Sequence, residues 1–177
     1  SAATNGALTK AGLGILTLNA NSAHTGVTTI SAGTLKQGAG NFDIIADTAA
    51  LVVNAGATFD MNFLSETIGS LAGAGTIDSG ATLTTGGNNA NTTFSGLIIG
   101  NGGLQKGGTG TFTLSGNNTY TGDTFINAGT LVAASNNALG GTVRGTTVNT
   151  GGTLNINNAT VGDAVSPVSI SRRPEDR

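Results

Sequence analysis

A chain of 177 residues is long enough for one domain with a continuous core, but only 9% of it is charged, 4% is aromatic and its formal net charge is −2. The scattered basic residues Lys10, Lys36, Lys106 and Arg144 exclude the clustered phosphate contacts that nucleic-acid binding needs, and the absence of cysteine excludes a disulfide scaffold, cysteine-ligated zinc and thiol catalysis. Thirty glycines against two prolines, no Gly-X-Y period and a mean hydropathy of +0.11 exclude collagen, polyproline and disordered low-complexity chains.

Short β-branched tracts punctuated by glycine or asparagine follow one another along the chain. GILTL at 14–18 is followed by TTI at 28–30, GTL at 33–35, LVV at 51–53 and ATFDMN at 57–62. ATLTT at 81–85, TTFSGLII at 92–99, GTFTL at 110–114, TFI at 124–126, TTVN at 146–149 and GTLNIN at 152–157 complete the series. Apolar and polar residues alternate within them: Gly110, Phe112 and Leu114 share one face, and Thr111 and Thr113 the other. Residues 46–53 and 65–69 have helix-compatible composition but are too short to hold a helix. No run of about eighteen apolar residues occurs, so no direct membrane span is expected. The first residues lack the charged and apolar regions of a signal peptide, so any export signal is expected outside this sequence. Residues 166–177 hold five of the sixteen charged side chains and are expected to be a tail, linker or non-native extension to a fold spanning 1–165.

Strands this short, separated by single glycine corners, do not suit antiparallel hairpins. They suit a coil of about three strands per turn, roughly 20 residues, in which each strand pairs in parallel with its equivalent one turn away. The expected fold is therefore all-β, a parallel β-helix. Residues 6–35 recur without a gap as residues 102–131, with sixteen of the thirty positions identical. Residues 51–62 recur as 146–157 with one residue fewer between the blocks, which places the two copies at about 6–62 and 102–157. A lost residue is tolerated at a corner, whereas inside a strand it would turn every later side chain to the wrong face.

The segment LQKGGTGTFTLSGNNTYTGDTFINAGTL at 104–131 resembles the autotransporter-associated β-strand repeat, also called the passenger-associated transport repeat. Lys106, Gly108, Gly110, Leu114, Tyr120, Gly122, Gly129 and Leu131 fall on its pattern. Their counterparts in the first copy include Lys10, Gly12, Gly14, Leu18, Gly26, Gly33 and Leu35, whereas Ala20, Ala23 and His24 replace Gly116, Thr119 and Tyr120. Residues 67–77, TIGSLAGAGTI, resemble the connecting sequence of such arrays. The resemblance implies a right-handed β-helix from the passenger of a Gram-negative type V secretion protein, at the cell surface or secreted. It further implies a C-terminal outer-membrane β-barrel of the same polypeptide as partner; the unpaired strand edges at the ends of a β-helix add a self-association partner, and the adhesin alternative a host-surface partner.

Candidate chemistry is sparse, and no catalytic, metal or cofactor residue is expected. The sole histidine, His24, occupies a position where the second copy has tyrosine, which reads as packing or a corner. Asp123 corresponds to Val27 and Asp60 to Asn155, as solvated turn or strand-end residues do. Asp78-Ser79-Gly80 resembles an aspartic-protease loop, but that mechanism needs two such aspartates and one is present. Asp43, Asp47 and Glu66 are the acids able to cluster and are equally explained as solubilising loop charges; convergence of Asp43, Asp47, Glu66 or Asp78 in a groove would favour a carbohydrate-active enzyme. The glycines match no phosphate loop or calcium nonapeptide, and the threonines lack the regular spacing of a flat ice-binding array. The expected function is a non-enzymatic structural stalk. A surface-binding adhesin module is the first alternative and the enzyme a weaker one.

Overall fold

Three-to-five-residue strands cannot hold together as isolated hairpins, but they gain two neighbours each when a chain coils and stacks them. The computed structural model describes residues 6–22, 24–40, 43–141 and 144–157, and the backbone of two further strands at 165–166 and 170–172. Six strands form the first part: β1 (Leu8–Lys10), β2 (Ile15–Leu18), β3 (Thr28–Ile30), β4 (Gly33–Gln37), β5 (Ala50–Val53) and β6 (Ala57–Asp60). The middle holds β7 (Glu66–Thr67), β8 (Ser70–Gly73), β9 (Thr76–Asp78), β10 (Leu83–Thr85), β11 (Thr92–Phe94) and β12 (Leu97–Ile99). The rest are β13 (Leu104–Lys106), β14 (Thr111–Leu114), β15 (Thr124–Ile126), β16 (Gly129–Ala133), β17 (Thr146–Val148), β18 (Gly152–Ile156), β19 (Val165–Ser166) and β20 (Ile170–Arg172). The expected boundary at residue 166 falls where most residues lie outside the described set.

The strands lie in three parallel sheets. The first runs β1-β3-β5-β8-β11-β14-β16-β18-β20, the second β2-β4-β6-β9-β12 and the third β7-β10-β13-β15-β17-β19. Successive strands of the first sheet are offset in sequence by 20, 23, 20, 21, 20, 19 and 23 residues from β1 to β18, seven turns of a solenoid. The all-β parallel coil expected from the sequence is the observed fold, and the alternation in GTFTL holds: Phe112 and Leu114 are buried and Thr111 and Thr113 half-buried. Inward side chains stack in columns, as in Leu35, Phe59, Ile77 and Ile98 of the second sheet. Residues 92–99 split into β11 and β12 at Ser95-Gly96, and residues 65–69 supply β7 instead of a helical turn.

The two sequence copies do not stack on the same face. β1, β3 and β5 belong to the first sheet, yet their equivalents β13, β15 and β17 belong to the third; β2, β4 and β6 of the second sheet recur as β14, β16 and β18 of the first. A shift of 96 residues is thus four turns and two of the three faces of a fifth. Each copy spans about two turns, and the second is rotated by one face relative to the first.

Corners set how closely turns approach. Gly33 and Gly129 occupy equivalent corners with φ of 67° and 64°. A Cβ on Gly33 would lie 2.5 Å from the carbonyl oxygens of Gly12 and Gly14; one on Gly129 would lie 2.5 Å and 2.6 Å from those of Gly108 and Gly110. Gly129→Val combines a left-handed backbone with backbone collision and should cost about 3 kcal/mol or more. Gly56→Ala, at φ 80° with nothing within 4 Å, should cost about 1 kcal/mol. Urea unfolding followed by circular dichroism separates the two; equal losses would show that close approach is unimportant.

Candidate functional site

The matched lysines are built into the corners. Lys10 and Lys106 end β1 and β13 pointing inward and are 6% and 0% exposed. The Lys106 ammonium donates to the carbonyls of Gly107 (2.5 Å), Gly108 (3.0 Å) and Ala128 (3.2 Å). Lys10 does the same to Ala11 (3.1 Å), Gly12 (2.8 Å) and Ala32 (2.9 Å). Three acceptors use all three ammonium hydrogens, and the third acceptor belongs to the next turn. Burial pushes the Lys106 pKa below its ordinary value. Lys106→Met would leave three corner carbonyls without their donor and should lower stability by about 2–4 kcal/mol, read as a lower urea midpoint at unchanged slope.

The histidine–tyrosine exchange keeps one hydrogen bond. The Tyr120 hydroxyl lies 2.6 Å from Thr124 Oγ1, and His24 Nε2 lies 2.7 Å from Oγ1 of the equivalent Thr28. Both threonines are buried, and Nδ1 of His24 meets the Ser22 hydroxyl. Asn118, the counterpart of Ser22, accepts from the Ile98 amide at 2.8 Å and donates to the Ala138 carbonyl at 2.6 Å. It thereby ties three turns together where the second sheet has ended.

Of the acids able to cluster, Asp43, Asp47 and Glu66 lie near one another and Asp78 lies apart. Glu66 points inward from β7 and is 3% exposed. Its Oε1 accepts from the Ile45 amide at 2.8 Å and its Oε2 from Gln37 Nε2 at 2.9 Å. Burial, opposed by the backbone hydrogen bonds and reinforced by the Asp43 and Asp47 charges, pushes its pKa up to about 8. Asp43 is raised by its own partial burial and by Asp47, with a hydrogen bond from Glu66 acting the other way. This is a carboxylic acid held neutral inside the coil beside exposed carboxylates. Asp78 lies on another sheet, in register with Asp60, which pairs with Lys36 at 2.6 Å. Ser79 beside it is fully buried and donates to the Ala81 carbonyl at 2.7 Å, so this tetrapeptide is a corner. Among the described residues, no group of three His, Cys, Asp or Glu is placed to hold a metal ion, and no helix is long and apolar enough to cross a membrane.

Two features have no counterpart in the sequence reading. Phe63 is 79% exposed at a left-handed corner after β6, with φ of 62°. Phe125 and Arg144 border an open groove on the outer surface. Neither an exposed aromatic nor a lone arginine carries a periodic signal that a sequence would reveal.

Rows of inward aliphatics, lysine-capped corners and a sealed acid describe a repeat solenoid. Residues 8–36 and 104–133 match the passenger-associated transport repeat. The chain is also 38% identical over 134 residues to the adhesin BmaC autotransporter of Brucella suis biovar 1 (strain 1330), an alignment covering 71% of this chain and 4% of the relative. It therefore spans about 4% of that relative's length. No solved structure matches the chain. The two matched segments are passenger-associated transport repeats, and the chain carrying them is part of an autotransporter passenger of a Gram-negative cell-surface or secreted protein.

The buried acid makes stability depend on pH. The folded pKa of Glu66, about 8, lies above its ordinary value of 4.5. Its contribution is therefore fully present below pH 4.5 and is lost as pH rises through about 8, with a slope of up to about 1.4 kcal/mol per pH unit. Urea unfolding at about pH 5 and about pH 8 should show the chain less stable at the higher pH, and Glu66→Gln should flatten the difference.

Proposed function

We propose that this chain is a non-enzymatic structural stalk segment of its passenger, one that supports outer-membrane secretion and surface display. The observation that carries this reading is the twice-built corner, in which a buried lysine gathers carbonyls from two successive turns. At both lysine corners the following turn supplies the acceptor that completes the corner before it, so the coil gains stability as that turn is added. That is the property expected of a segment that folds progressively as it emerges from a membrane. The partner in this reading is a C-terminal outer-membrane β-barrel of the same polypeptide. The small, weakly charged surface and the sealing of Glu66 argue against substrate turnover.

A second reading is an adhesin module. It is favoured by the 38% identity to a relative named as an adhesin. Display of the full passenger in a Gram-negative host separates the roles. Lys106→Met should reduce passenger at the cell surface several-fold while barrel insertion is unchanged. Unchanged display despite a measured loss of stability would overturn the stalk reading.

A further inference from the structure

A groove of about 470 Å³ opens where the second and third faces meet, within the roughly 300–1,000 Å³ range of small-molecule sites. Its floor is bare backbone. Gly122 donates from its amide to the Gly102 carbonyl at 3.0 Å, and a Cβ on Gly102 would lie 1.7 Å from the Ala81 carbonyl oxygen. The stacking of turns thus forbids side chains on the floor, and the residues on either side stand up as walls.

Those walls carry chemistry that the fold does not require. Phe125 projects outward from β15 between Gln105 and Thr147 and is half-buried, whereas Phe59, Phe94 and Phe112 are fully inside. Arg144 is exposed and makes no ion pair or hydrogen bond among the described residues. Asp123 accepts from the Gly145 amide at 3.3 Å through one carboxylate oxygen, and the Thr121 hydroxyl meets Asn101 Oδ1 at 3.5 Å in the same groove.

The first copy is an internal control. Its corner has the same stacked glycines, with the Gly26 amide donating to the Gly6 carbonyl at 3.1 Å. It has Val27 in place of Asp123 and Thr29 in place of Phe125, and no arginine occurs within residues 6–62. The solenoid closes this corner without the aromatic, the acid or the arginine, so packing does not account for them.

We infer that this groove binds a carboxylate-bearing saccharide. An aromatic ring offers its face to the C–H face of a pyranose, and an uncommitted guanidinium pairs with a carboxylate in two parallel hydrogen bonds. The second Asp123 oxygen, Asn101 and Thr121 supply acceptors and donors for ring hydroxyls. A purely anionic ligand would find Asp123 repulsive, and a neutral one would leave Arg144 unused; an acidic sugar uses both. The site is independent of the stalk role, so a failed saccharide titration leaves the display measurement standing.

The test is a nuclear magnetic resonance titration of the 177-residue chain with a hyaluronan hexasaccharide, sialyllactose and the neutral maltohexaose. Saturable shifts at Gly102, Gly122 and Phe125 with at least one acidic saccharide, and none with maltohexaose, are expected. The responding probe tells a uronate from a sialate ligand. Arg144→Gln and Phe125→Ala should each weaken that binding about tenfold or more, with the melting temperature held near that of the parent chain because both side chains point outward. Equal response to maltohexaose, undiminished binding by Arg144→Gln, shifts confined to other surfaces, or no saturable shift with either acidic probe would each overturn the inference.

Discussion

At the corners that Gly33 and Gly129 mark, successive turns of this chain approach so closely that one methyl group does not fit between them. At Gly33 and Gly129 a Cβ would sit about as far from two carbonyl oxygens as a hydrogen does from a weak acceptor, 2.5–2.6 Å. The rest of the structure follows from this approach. It brings strands of two to five residues into parallel pairing, which they could not sustain alone. It lines up inward aliphatics such as Leu35, Phe59, Ile77 and Ile98 into columns. At two corners it also leaves carbonyls pointing inward, those of residues 11, 12 and 32 and of 107, 108 and 128, where lysine ammoniums take them up.

Those inward carbonyls explain the buried polar groups. A lysine inside an apolar coil is unfavourable unless every hydrogen of its ammonium has an acceptor. The corner provides three, and the charge-assisted bonds join one turn to the next. Asn118 performs the same joining without charge, by accepting from the turn before and donating to the turn after. Glu66 takes up the Ile45 amide, but its carboxyl is stable there chiefly as the neutral acid. Rigidity and surface chemistry are therefore separable: the repeated residues build corners, and residues that differ between the copies, such as Asp123 and Phe125, decorate them.

The alternation rule made much of this fold legible. TTI at 28–30 and TFI at 124–126 are strands to the residue, because each places two buried side chains around an outward one. β1 and β13 were hidden as strands because Leu-x-Lys offers a single apolar residue, and a lysine reads as solvent-facing until a carbonyl cage is seen around it. The rotation of one copy by a face was also hidden. One-turn offsets between paired strands vary from 16 to 24 residues, and nothing in a corner's composition fixes which it will be. That Asp43, Asp47 and Glu66 are the acids able to cluster is legible because few acids exist, but the sealing of Glu66 depends on Gln37 and Ile45 arriving from neighbouring turns. Phe125 and Arg144 lie 19 residues apart, in separate turns, so only the register brings them to one groove.

Parallel register at one-turn spacing is the claim on which the corners, the columns and the groove all stand, and disulfide trapping tests it directly. The chain contains no cysteine, so introduced pairs are free of competition. Thr113 and Val132 face each other across adjacent strands, whereas Thr113 and Thr130 are one outward position out of register. A Thr113→Cys, Val132→Cys variant should oxidise readily under mild conditions without loss of stability, and a Thr113→Cys, Thr130→Cys variant should oxidise far more slowly. Equal rates, or faster closure of the second pair, would contradict the stacked parallel coil.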